Sequence, residues 1–153
     1  MVATVMIWRI DIGDYAGALP LIAYVLRHRV PMPSQINRTA ATFVTEEIVD
    51  AALAAFDLAT ADATEPAFSI EVLAELEDLV ADEDMHDEVK AKLQKAIGKA
   101  LAASGDDTRV RQEETLKRYM RALELNPRAG VKKDIERLQS ALRKNPPAPE
   151  ETG

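Results

Sequence analysis

The chain of 153 residues has no cysteine, one tryptophan, two histidines and few aromatic side chains of any kind. The absence of cysteine excludes disulfides and metal sites built on thiolates, and it favours a reducing compartment. No apolar run reaches the roughly 18 residues of a membrane span, and the first residues lack the basic start of a secretory signal. These absences predict a soluble cytoplasmic protein.

Most catalytic motifs are also absent. There is no glycine-rich phosphate loop and no serine or threonine with the local signature of an activated nucleophile. His28 and His86 belong to no metal-binding motif, and His28 is expected to be a surface group near a helix C-terminus. Asp84, Glu88 and Lys90 resemble faintly the acid-acid-lysine set of metal-dependent nucleases, but acids at a helix start explain them better. The sequence therefore identifies no catalytic residue and no metal ligand.

Helical periodicity dominates what is present, and it predicts an all-α fold of six or seven helices in antiparallel hairpins. The first two predicted helices cover residues 2–12 and 14–29, and the third begins at a cap, Thr42 or Thr45, and ends near residue 59. The next two cover residues 70–80 and 87–103. The sixth ends near residue 125, and the last covers residues 129–144. We expect 1–144 to form a single helical domain and the acidic, proline-rich segment 145–153 to be disordered.

The segment from Trp8 to Arg29 is interpreted as two helices joined at Gly13, with Asp14 capping the second. Trp8 is expected to anchor the core because of its size. The motif G-D-Y-x-x-A-L that begins at Gly13 resembles a tetratricopeptide repeat, and Tyr119, Ala122 and Pro127 have the spacing that closes one. The fold is therefore predicted to be tetratricopeptide-like in part.

Charge is distributed unevenly along the chain. Residues 41–88 contain fifteen acids and no lysine or arginine, whereas residues 89–144 contain fifteen lysines and arginines against seven acids. Faces of opposite sign can pack within one subunit, or they can join neighbours head to tail in a homo-oligomer whose interface includes residues 41–88.

Only the basic part of the chain is suited to DNA phosphates. The candidate DNA-binding residues are Lys132, Lys133, Arg137, Arg143, Lys144, Arg118 and Arg121. Tyr119 alone interleaves with them, and it is assigned to the core together with Met120, so base stacking is not predicted. The alternative is that these residues form ion pairs within their helices, such as Lys133 with Glu136 or Arg137 with Asp134.

Five segments carry a family resemblance: WRIDIGDYAGAL, YVLRHR, TEEIVDAAL, MHDEVKAKLQKAIG and AGVKKDIERL. In this order, from about Thr4 to about Leu142, they resemble the small terminase subunit of temperate tailed phages with cohesive ends, also described as the terminase endonuclease subunit. Family members are expected to begin with a further helical, basic region. This chain begins within the pattern, so it is expected to lack that region.

The resemblance implies a role in viral DNA packaging in the host cytoplasm. Such a subunit binds the packaging site on double-stranded DNA, forms a homo-oligomer, and recruits or regulates the large ATPase subunit. One alternative is a metal-dependent endonuclease that cuts at the cohesive-end site. Another is a helical-repeat interaction module without nucleic acid. No cofactor is expected, apart from Mg²⁺ if the endonuclease alternative holds.

Overall fold

A computed structural model describes residues 1–147, which contain seven α-helices and no β-strand. The helices are α1 (Val2–Asp11), α2 (Tyr15–Arg27), α3 (Ala40–Asp62), α4 (Ile70–Val80), α5 (Asp87–Ala103), α6 (Arg109–Leu125) and α7 (Lys132–Lys144). The all-α prediction is confirmed. The resemblance to tetratricopeptide repeats and the single-domain assignment stay predictions. None of the helices within residues 1–147 combines the length and apolar character that crossing a membrane requires.

The hairpin of α1 and α2 forms as its sequence indicates. Gly13 has a φ of 80°, and the Asp14 carboxylate caps α2 by accepting a hydrogen bond from the Gly17 amide at 3.0 Å. Arg9 reaches back from α1 to the same carboxylate at 2.6 Å. The Gly17 amide and the Arg9 guanidinium hold the pKa of Asp14 below its usual range. Together these contacts fix the angle between the two helices.

The start and end of α3 differ from the sequence prediction. Its cap is Thr39, whose hydroxyl accepts a hydrogen bond from the Thr42 amide at 3.2 Å. Thr45 is instead fully buried within the helix, and Thr42 lies in its first turn, so the prediction of a cap at either residue is wrong. The helix also continues beyond Ala59, because no glycine or proline interrupts it before Ala63 turns left-handed.

Two hydrophobic clusters organise the chain. The larger joins α1 to α5 around α3, and its fully buried side chains include Met6, Ile22, Ile48, Leu73 and Leu76. The smaller lies between α6 and α7, where Tyr119, Val131 and Ile135 are buried. Because α6 packs most closely on α5, α5 connects the two clusters.

Two large side chains expected in the core lie on the surface. Trp8 is 59% exposed, since α1 buries the face that carries Ala3, Met6 and Ile10 and turns Trp8 outward. Met120 is 47% exposed, because its neighbour Tyr119 occupies the buried face of α6. Both predictions of a core position are therefore wrong.

The segment after α7 begins in an ordered way. The carbonyl oxygen of Asn145 accepts a hydrogen bond from Arg109 at 2.7 Å, and the Asn145 amide donates to Gln112 at 3.2 Å. The disorder predicted for residues 145–153 stays a prediction. Residues 148–153 of that predicted tail lie outside the described part of the chain.

Candidate nucleic-acid interface

A basic pocket of about 430 Å³ lies at the N-terminal end of α7. It is lined by Lys99 of α5, by side chains of the turn before α7, and by the first turns of α7 itself: Pro127, Arg128, Gly130, Lys132, Lys133, Asp134 and Arg137. Five cationic side chains and one carboxylate give this lining a net charge of +4. We call this site the basic pocket.

The turn between α6 and α7 forms the pocket. The Asn126 side chain accepts a hydrogen bond from the Arg128 amide at 3.0 Å, and the Asn126 carbonyl accepts one from the Ala129 amide at 2.9 Å. Gly130 then takes a φ of 78°, and Val131 is fully buried between the helices. Because Val131 anchors the start of α7, the lysines that follow it are held beside α5.

The Lys95 ammonium group lies at the rim of the basic pocket. A Cβ atom placed on Gly130 would lie 3.4 Å from the Lys95 Nζ. Lys95 and Lys99 are one helical turn apart on α5, so both face the turn before α7. The positive charge of the site therefore comes from two helices.

Charge within the basic pocket is only partly neutralised. Asp134 lies 3.4 Å from Lys99 Nζ and 3.6 Å from Arg137, and its side chain is 15% exposed. Lys132 and Lys133 are exposed and form no ion pair within residues 1–147. The first turn of α7 has no side-chain cap, so its free amides add to the attraction for an anion. The pocket is thus suited to a phosphate group.

The structure divides the predicted DNA-binding residues among three places. Lys132, Lys133 and Arg137 meet in the basic pocket. Arg143 and Lys144 lie at the opposite end of α7, roughly 18 Å along the helix from Lys132. Arg118 and Arg121 line a groove on α6 that shares no residue with the basic pocket.

The two arginines on α6 are engaged by neighbouring side chains. Arg118 contacts Glu77 of α4 and donates a hydrogen bond to the Gln94 side chain of α5 at 3.1 Å. Arg121 lies 3.0 Å from Glu124. Arg118 therefore connects three helices, which gives it a structural role in the fold.

Sequence reasoning missed Lys99, Arg128 and Lys95 at the basic pocket. The only local signal was the spacing of Lys95 and Lys99 on one face of a helix. Of the predicted ion pairs, Arg137 with Asp134 is present. Lys133 and Glu136 do not pair within the described residues.

The nuclease-like set lies far along the chain from this pocket, at the start of α5. Within residues 1–147, no three histidine or acidic side chains come together as metal ligands. Asp87 and Glu88 occupy the first turn of α5, where negative charge suits the helix dipole. His28 is exposed at the end of α2, with its ring 4.4 Å from that of Tyr24.

Acidic and basic segments pair at several points within the chain. Lys92 lies 3.1 Å from Asp50, and Arg118 contacts Glu77. These contacts join α5 to α3 and α6 to α4. The two segments therefore neutralise each other in part within one subunit.

Comparison with known proteins gives two matches. A family model described as phage small terminase subunit matches residues 1–88. The terminase, endonuclease subunit of Escherichia phage P2 is 40% identical over 143 residues. The alignment covers 94% of this chain and 53% of the phage P2 protein, so the chain spans about half the length of that relative. No solved structure matches the chain. The chain belongs to the phage small terminase subunit family.

Proposed function

We propose that this chain serves in viral DNA packaging inside the host cell, where it binds double-stranded DNA through the basic pocket. Membership of the small terminase family supports this role. The observation that carries the assignment to a site is the net charge of +4 at the start of α7, where Lys132 and Lys133 form no ion pair within the described residues.

The basic pocket suits the DNA backbone for two physical reasons. Lysine and arginine side chains that contact phosphates release counterions from the duplex, which makes binding favourable and sensitive to salt. The free amides of a helix N-terminus position a phosphate in addition. Such contacts carry little sequence information, so we propose that this site supplies affinity and orientation.

Duplex DNA binding tests the proposal. Replacing Lys132 and Lys133 with alanine should weaken binding and reduce the slope of log K against log salt by about 1–2. Fluorescence anisotropy with a labelled duplex over a series of salt concentrations measures both quantities.

A matched control removes the same amount of charge elsewhere. Arg27 and Lys117 are exposed and form no ion pair within the described residues. Their double alanine variant should bind duplex DNA like the parent protein. Equal salt slopes for the Lys132/Lys133 variant and the parent would show that the basic pocket does not contact DNA.

We further propose that the family's large ATPase subunit and other copies of this chain are its protein partners. The family supports a large-subunit partner. Binding to the purified large subunit, measured with the Lys132/Lys133 double alanine variant and with the parent protein, tests whether this contact is separate from the DNA contact. Unchanged binding is expected if the two surfaces differ.

The name of the phage P2 relative includes an endonuclease activity. For this chain alone we expect no Mg²⁺-dependent cutting of duplex DNA, since Asp84 and Glu88 belong to no cluster of metal ligands within the described residues and Glu88 lies in the first turn of α5, where the helix dipole explains its charge. Incubation of purified protein with supercoiled plasmid, with Mg²⁺ and with a chelator, measures nicking. Nicking that is lost in Asp84→Ala or Glu88→Ala would contradict the prediction.

A further inference from the structure

We propose that a cleft beside the basic pocket receives the sugar and base of a nucleotide whose phosphate lies in the basic pocket. This inference deepens the proposed function and shares its phosphate site. The cleft has a volume of about 580 Å³ and lies between the C-terminal ends of α3 and α5 and the first turns of α7. It shares Lys99, Asp134 and Arg137 with the basic pocket, so one ligand can occupy both.

One wall of the cleft is apolar and built largely from small side chains. The apolar residues are Phe56, Ala59, Ala63, Pro66, Ala102 and Ala103. Alanines leave an open space between the ends of α3 and α5 that larger side chains would fill. A planar base fits such a space because its faces are weakly hydrated.

The other wall contains the Tyr119 hydroxyl, whose oxygen is open to solvent. Tyr119 is only 2% exposed, and its hydroxyl makes no hydrogen bond within residues 1–147. Its ring packs closely on α5, since a Cβ atom on Gly98 would lie 2.6 Å from Tyr119 Cε1. Asp134 and Arg137 line the same cleft as Tyr119, and their charges act on the pKa of Tyr119 in opposite directions.

A hydroxyl that is open to the cleft and makes no hydrogen bond to the protein is available to donate one to an acceptor on a ligand. Burial raises the pKa of Tyr119, so the hydroxyl stays protonated and acts as a donor. A ring oxygen of the sugar or a ring nitrogen of the base is an acceptor of the required kind.

The cleft and the basic pocket differ in net charge. The cleft itself carries Lys99 and Arg137 against Asp134 and Glu65, which makes it neutral, whereas the basic pocket has a net charge of +4. An inorganic phosphate would use only the basic pocket. A ligand with a charged phosphate and an uncharged, partly apolar remainder uses both. A free nucleotide and an unpaired nucleotide of a DNA strand share this chemistry.

Two binding measurements distinguish a free nucleotide from an unpaired nucleotide of a DNA strand. Calorimetry measures the binding of ADP to the whole chain. Fluorescence anisotropy compares a duplex that has a 5′-phosphorylated single-stranded overhang with a blunt duplex of equal length. Tyr119→Phe removes only the hydroxyl, and Ala103→Trp fills the cleft from an exposed position.

Each variant has a matched control outside the cleft. Tyr24→Phe changes an exposed tyrosine of α2, and Ala54→Trp changes an exposed alanine of α3. We expect the affinity for ADP or for the overhang duplex to fall about tenfold in both cleft variants. Both controls should bind these ligands like the parent protein. Binding of the blunt duplex should stay within about twofold in all four variants.

The proposal is overturned if the parent binds neither ADP nor the overhang in preference to the blunt end. It is also overturned if the cleft variants leave that binding unchanged. Should Tyr119→Phe fail to fold, Ala103→Trp alone gives the answer. Loss of blunt-duplex binding in the Lys132/Lys133 variant tests the proposed function independently. The proposed function and the proposed nucleotide site can therefore fail separately.

Discussion

Single residues on α1 show that helical position outweighs size in deciding burial. Met6 and Ile10 are buried, while the larger Trp8 and its neighbour on the same face, Ile12, are each 59% exposed. Residues three to four positions apart share a helix face, and Ala3, Met6 and Ile10 form the face that packs on the rest of the fold. Trp8 therefore adds little to the core.

Replacing Trp8 with alanine should change the free energy of unfolding by only about 0.5–1 kcal/mol, because most of the side chain already contacts water. Met6→Ala in the same helix is the matched control. It should cost about 2–5 kcal/mol, since Met6 is fully buried. Urea denaturation of both variants measures these changes. A loss for Trp8→Ala as large as that for Met6→Ala would mean that Trp8 is covered in solution.

At the scale of elements, the contact between α5 and α6 depends on a glycine. Gly98 is buried on α5, and the Tyr119 ring of α6 fills the space that a side chain at this position would need. This close approach holds the α6–α7 hairpin, and with it the basic pocket, against α5. A helical glycine usually costs stability relative to alanine, so its position here has a packing reason.

Gly98→Ala should destabilise the protein by about 1–3 kcal/mol, because the new methyl group would overlap the buried Tyr119 ring. Helix propensity alone would raise the free energy of unfolding by about 1 kcal/mol. The sign of the measured change therefore distinguishes the steric overlap from the helix propensity. The same substitution in a Tyr119→Leu background supplies the control. There the penalty should shrink or reverse, and thermal unfolding of the four proteins measures the coupling. Additive changes would contradict the proposed contact.

For the whole molecule, the uneven charge is only partly balanced within one subunit. Asp50, Glu77 and Glu83 pair with basic side chains from elsewhere in the chain. Glu75 and Asp78 of α4 remain exposed and form no ion pair within the described residues. The apolar face of α3 is used inside the subunit, so an acidic contact surface between subunits has to involve exposed side chains such as these.

We predict a homo-oligomer whose interface includes the acidic segment 41–88 and whose association weakens as salt rises. Light scattering should give a larger average mass at about 0.05 M salt than at about 0.5 M. Glu75→Lys with Asp78→Lys should reduce the mass at low salt. Asp11 and Asp107 are exposed and lie outside the acidic segment, so the same charge change at these two residues should leave the average mass unaltered. A monomer at both salt concentrations would exclude this mode of assembly.

Local sequence determined the elements. Apolar spacing and turn residues such as Gly13, Asp14 and Pro127 identify the seven helices, because each of these signals acts within a few residues of the chain. The last helix was identified with its lysines in place, and Lys132, Lys133 and Arg137 were already candidates. The cap and the end of α3 were misplaced, since Thr39, Thr42 and Thr45 offer similar local chemistry, and α7 begins at Lys132 rather than at residue 129.

Only the tertiary structure decided which residues meet. Lys99 joins the basic pocket because its side chain reaches Asp134 in the first turn of α7, and this contact between positions 35 residues apart has no local signal. Arg118 and Arg121 carry the same charge as Lys132, yet packing on α4 and α5 directs Arg118 to Glu77 and Gln94. The tertiary structure also decided that Trp8 is exposed, since a helix can bury only the face that its neighbours cover.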